Sequence, residues 1–153
     1  FPNAGAVHAA DTDAKPNRLS PEVLKVMQNA KTATLFSLAP DGVQAPAGAE
    51  DFHGHAAVLG KMALDAKQSA VAIRAFEDAV VNWQGLKADC FEPRHGLRIV
   101  SGKHVYDFVL CYACGRLCVY RDKDVILDLG VKGSPKVLNA LLVTKKIPLA
   151  PEF

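Results

Sequence analysis

The stretch HGLRIVSGKHVYDFVLCYACGRLCVY, His95–Tyr120, decides the fold class. Two apolar runs, HGLRIV and HVYDFVLCY, are separated by SGK, the signal of a three-residue hairpin. In the second run Tyr106, Phe108, Leu110 and Tyr112 alternate with Val105, Asp107, Val109 and Cys111, so the two sets point to opposite faces of a sheet. RLCVYRD and DVILDLG continue the pattern as two further short strands. Hairpins rather than strand–helix–strand units join these segments, and hairpins build antiparallel sheets.

Upstream, SPEVLKVMQNAK starts with Ser20 as an N-cap and Pro21 at the first helical position, where the missing N–H costs nothing. Val23, Val26, Met27 and Ala30 then share one helical face. TATLFSLA (Thr32–Ala39) reads as a strand, PDGVQAPAGAED as a loop, and Gly54 to Met62 as a second strand. Asp65 with Gln68 makes a capping box for the next helix, Ala66 to about Trp83. Its apolar face carries Ala72, Phe76, Ala79, Val80 and Trp83, and Gly85 stops it. SPKVLNALLVTKK is the last helix, with Val137, Leu138, Leu141 and Leu142 inward and Pro148 and Pro151 beyond it. The expected order is α-β-β-α-β-β-β-β-α. It describes an α+β domain with an antiparallel sheet of about five to six strands and helices packed mainly on one face.

Composition bounds the partners. With 153 residues, half of them hydrophobic and 22% charged, the chain can bury a core of its own. A net charge of +2, from scattered basic residues with no aromatic interleaving, argues against nucleic acid. The longest apolar run, FVLCYAC, falls far short of the roughly 20 residues that span a bilayer. The beginning, FPNAGAVHAADTDAKPNRLS, has no initiator Met and carries a small-x-small pattern before ADTD. These features predict export, with a flexible tail or signal remnant over residues 1–18 and a single domain over residues 19–153.

Four cysteines, Cys90, Cys111, Cys114 and Cys118, are the densest chemistry in the chain. If SGK closes the first hairpin with Val100 facing His104, Cys90 faces Cys114. If Cys114-Gly115 is a two-residue turn, Cys111 faces Cys118. Directly opposed residues lie within disulfide reach. Bridges 90–114 and 111–118 are therefore the first expectation. A bulge at Pro93 would instead bring Cys90 to Cys111. A bridge closing roughly 23 residues is worth about 3 kcal/mol in the chain-entropy treatment. The alternative is zinc: CYACG has the form of a knuckle, and Cys90, His95, Cys111 and Cys114 supply four ligands. Against zinc stands the lack of a second knuckle. A redox dithiol would normally sit at a helix N-terminus, whereas this C-x-x-C lies between strands.

Two further clusters are candidates for binding or catalysis. FHGH sets His53 and His55 on one face if the segment is a strand, with Asp51 nearby as a third metal ligand. EPRHG collects Glu92, Arg94 and His95, where His95 with Glu92 makes an acid–base pair and Arg94 an anion clamp. The favoured readings are plainer: surface polar residues at a loop–strand junction for the first, and a bulged strand end whose charges hydrogen-bond locally for the second. No nucleophile elbow, P-loop, GxGxxG or HExxH motif is present.

The segments CFEPRHG (Cys90–Gly96), CYAC (Cys111–Cys114) and IPLAP (Ile147–Pro151) resemble a family of small exported bacterial proteins with no established activity. The likeness covers about the last 100 residues. It implies export and a shared bridge from Cys90 to Cys111 or Cys114, with a 111–118 bridge as a local addition. The leading expectation is an exported, disulfide-stapled domain that binds another protein, as an inhibitor or immunity factor does. A zinc protein and an enzyme centred on Glu92, Arg94 and His95 are the alternatives.

Overall fold

A computed structural model describes residues 16–151. Helix α1 (Pro21–Asn29) begins as its sequence dictates, with the Ser20 hydroxyl accepting from the Val23 amide and Pro21 in the first turn. Strands β1 (Ala33–Pro40), β2 (Asp51–Phe52) and β3 (Ala56–Leu64) follow, and then helix α2 (Ala66–Val81). The capping box of α2 is complete, Asp65 and Gln68 each bonding the other's backbone amide. Strands β4 (His95–Ser101), β5 (His104–Cys111), β6 (Arg116–Arg121) and β7 (Asp124–Gly130) precede helix α3 (Lys136–Thr144). The short β2 is the one element absent from the expected order.

All seven strands belong to one antiparallel sheet in the order β2-β3-β1-β4-β5-β6-β7. The α+β class is as the alternation indicates, with more strands than expected. The excess has a local cause: His53 (φ 56°) and Gly54 (φ 75°) turn the chain so that Phe52 pairs with Ala56. What reads as the start of a strand at Gly54 is therefore a turn between two strands.

The hairpin registers also differ from expectation. Gly102, at φ 59°, makes Gly102-Lys103 a two-residue turn that pairs Ser101 with His104 and Val100 with Val105. A glycine at the first central position is what such a turn requires. Between β5 and β6 the connection is longer than expected: Cys111 pairs with Arg116, and four residues, Tyr112–Gly115, form the loop.

The larger core cluster joins Val23 and Met27 of α1, Phe76 and Ala79 of α2, and Leu138 and Leu142 of α3 to strand residues including Leu35, Leu97, Phe108 and Leu117. Phe76 meets Phe108 edge-on at 6.0 Å, tying α2 to β5. A second cluster, of Phe36, Leu38, Phe52, Val58, Val109, Cys118 and Tyr120, contains no helical residue. Val137, expected inward, is 45% exposed, and only Leu138 and Leu142 of α3 are fully buried. Helix α2 stops at Val81, short of Trp83, whose ring instead lies against Gly130. Asn17 exchanges two hydrogen bonds with the Gly130 backbone, so ordered contacts begin inside the segment expected to be a tail. Residues 1–15 of the expected tail lie outside the described residues. No helix among them is long and apolar enough to cross a membrane.

Candidate functional site

The β5–β6 turn is where the structure departs most from the expected chemistry. Cys111 is bonded to Cys114, their Cα atoms 5.2 Å apart, and Cys90 and Cys118 are free. The expected 90–114 and 111–118 bridges are corrected by register. Cys118 lies opposite Val109, not Cys111, because the four-residue loop is centred between Ala113 and Cys114, one residue earlier than a Cys114-Gly115 turn. Cys118 is buried beside the Asp128 carboxylate; burial first, and that charge second, push its thiol up to about 11, so it stays protonated. The turn itself is tight. Gly115, at φ 66°, donates to the Tyr112 carbonyl, and the Cys114 amide donates to Cys111 Sγ at 3.0 Å.

A strap of chain between α2 and β4 lies on this turn. Ala88 donates to the Cys114 carbonyl at 2.9 Å, and the Glu92 amide donates to Cys114 Sγ at 3.3 Å. Arg116 Nη1 donates to the Asp89 carbonyl at 3.2 Å. A Cβ on Gly115 would stand 2.9 Å from the Leu86 carbonyl oxygen, so only glycine lets strap and turn approach this closely.

Beside the turn is a cleft of about 320 Å³ lined by Glu92, Arg94, His95, Tyr112, Gly133 and Pro135. Thus Glu92, Arg94 and His95, adjacent in sequence, do share one wall of a cavity. His95 is buried and its Nε2 lies 2.7 Å from Asn139 Oδ1 on α3. Arg94 Nε donates to the Pro151 carbonyl at 2.8 Å and Nη1 to the Glu92 carbonyl at 3.2 Å. The guanidinium therefore anchors the C-terminal segment to the strap. Burial raises the Tyr112 phenol to about 12, so it faces the cleft as a neutral group.

A separate polar network is built on Asp107, 2% exposed, with Arg98 and Tyr120 directly opposite it on β4 and β6. Arg98 holds the carboxylate with two hydrogen bonds, at 2.8 and 2.9 Å. His53 Nε2 lies 2.7 Å from Asp107 Oδ2, and its ring stacks on Tyr120 at 3.9 Å. Burial alone would raise the Asp107 carboxyl, but the hydrogen bonds from His53 and Arg98 outweigh it and hold the group below its ordinary value. His55 meets the Tyr120 hydroxyl at 2.7 Å; burial first, then the His53 and Arg116 charges, lower its pKa.

His53 and His55 therefore come together around Tyr120, as turn residues rather than as a strand face. Each spends its Nε2 on a protein partner, while Asp51 accepts from the Gly54 amide. Of the alternative zinc set, Cys111 and Cys114 are bonded to each other, His95 Nε2 meets Asn139, and Cys90 is free. Among the described residues no group of three or more His, Cys, Asp or Glu side chains is arranged to hold a metal.

Asp107, Arg98, Tyr120 and Asn139 were not singled out from sequence. Asp107 carried a usable signal, because a lone carboxylate in the apolar run VYDFVLC must find a cationic or hydrogen-bonding partner when buried. Asn139 carried none. No family model matches the chain, and no curated protein or solved structure matches it.

Proposed function

We propose that this chain is an exported, disulfide-containing binding domain that holds a segment of another protein in the cleft between the Glu92–His95 wall and the β5–β6 turn. The observation that carries this reading is the cleft itself, with a cross-linked turn on one side and the buried Arg94 and His95 on the other. Walls held by hydrogen bonds and a covalent link lose little freedom on binding, the condition under which contact converts to affinity. In this reading the three helices cover one face of the sheet. Its support is that the larger core cluster contains residues of all three and the smaller cluster none. The Cys111–Cys114 bond supports export, since disulfides persist mainly in oxidising compartments. An inhibitor or immunity factor fits this description.

Ala113 is exposed at the cleft wall, and exposed positions usually change stability by no more than about 0.5 kcal/mol when substituted. Cross-linking from position 113 in the exported fraction is expected to trap one protein. Ala113→Trp is expected to abolish that capture while leaving thermal stability unchanged. A purified protein that captures nothing there but turns over a substrate overturns the proposal. One observation favours a second reading: Glu92, Arg94 and His95 share the cleft wall, as an enzyme centred on them requires. Any such activity that survives His95→Ala removes it.

A further inference from the structure

The strap that crosses the β5–β6 turn carries an exposed free thiol, Cys90, midway between its two contacts with Cys114. Ala88 bonds the Cys114 carbonyl and Glu92 bonds Cys114 Sγ, so Cys90 is two residues from a Cys114 contact on either side. Two residues of extended chain span at most about 7 Å, so Cys90 stays within that span of each residue that contacts Cys114. The bonded sulfurs belong to residues only 2% and 5% exposed. Cys90 is exposed, which makes it the most accessible of the three to an outside thiol.

Each bonded sulfur also has a backbone donor aimed at it. The Cys114 amide points at Cys111 Sγ, and the Glu92 amide points at Cys114 Sγ. Such donors stabilise a thiolate as it forms, the service a helix N-terminus performs in other C-x-x-C sites. The missing helix, which counts against redox chemistry in the sequence, is thereby replaced by two oriented amides.

The geometry points to Cys90, Cys111 and Cys114 as a thiol–disulfide exchange centre that oxidises a dithiol substrate through Cys90. The Cys90 thiolate attacks Cys114 Sγ; the 90–114 bond forms, the 111–114 bond breaks, and Cys111 leaves as a thiolate held by the Cys114 amide. A substrate thiolate then attacks the accessible Cys90 sulfur, and Cys114 leaves as a thiolate beside the Glu92 amide. The second substrate thiol displaces Cys90 and closes the substrate disulfide. Two electrons and the two substrate protons end on Cys111 and Cys114, so the step balances without another reactant. Cys118, buried on β6, takes no part. The inference does not depend on what occupies the cleft.

Two measurements test it. Cys111→Ser, refolded in oxidised glutathione, is expected to yield a Cys90–Cys114 linked peptide on mass mapping. Single-turnover oxidation of a reduced Cys-Gly-Gly-Cys peptide is expected to slow at least about tenfold in Cys90→Ser and to be unchanged in Cys118→Ser. Cys90 is exposed, so its replacement leaves the core intact. A Cys90→Ser protein that oxidises the peptide at the parental rate overturns the proposal, and so does a Cys111→Ser protein whose Cys90 stays fully alkylatable.

Discussion

At the residue scale the most constrained group is Asp107. A carboxylate placed in the apolar strand β5 is tolerable because Arg98 and His53 reach it from β4 and the β2–β3 turn. Removing one member of a buried, hydrogen-bonded ion pair leaves the other uncompensated. Asp107→Ala is therefore expected to cost about 3 kcal/mol at neutral pH, near the low end for such pairs because Arg98 is partly exposed. The sign of its pH dependence follows from its lowered pKa. The ionised Asp107 contributes fully above its ordinary value of 3.8, and the contribution is lost as pH falls through the lower folded-state value. Urea denaturation across the acid range is expected to show the parent and the variant converging at the lowest pH. A variant as stable as the parent at neutral pH contradicts this role.

At the element scale the β5–β6 turn controls the cysteine chemistry. Its four-residue loop places Cys111 and Cys114 together and sets Cys118 two positions away from its expected partner. A bridge closing so short a loop contributes only about 2 kcal/mol in the chain-entropy treatment, less than the long bridge the sequence suggests. Gly115 makes the turn possible through its positive φ and through its closeness to the Leu86 carbonyl. Gly115→Ala is expected to lower stability by about 2 kcal/mol, the scale of a strained left-handed residue. It should also loosen the strap, read as faster amide exchange at Ala88 and Glu92. By contrast, the starts of α1 and α2 were legible to the residue, because a cap acts within one turn of its own sequence.

At the scale of the whole molecule one sheet carries two apolar clusters, and β5 contributes to both, Phe108 to the larger and Val109 to the smaller. Phe108, fully buried and in contact with Phe76, links the sheet to α2. Phe108→Ala is expected to cost about 4 kcal/mol by cavity formation. Val125→Ala on β7, at a residue 55% exposed, should stay within about 0.5 kcal/mol. Equal losses in thermal or urea denaturation would contradict this division of the sheet.

The same division explains what could be read early. The alternation of Tyr106 and Phe108 against Asp107 and Val109, the short hairpin connections and the helix caps depend on neighbours within a few residues, and these determined the antiparallel α+β class. The pairing of sulfurs, the cleft at Glu92–His95 and the gathering of His53, Asp107 and Tyr120 depend on register and on strands distant in the chain. One added loop residue shifts a register and turns side chains to the opposite face, a change that local composition does not encode. Only the tertiary structure decided those, because they are distances between segments rather than properties of any one of them.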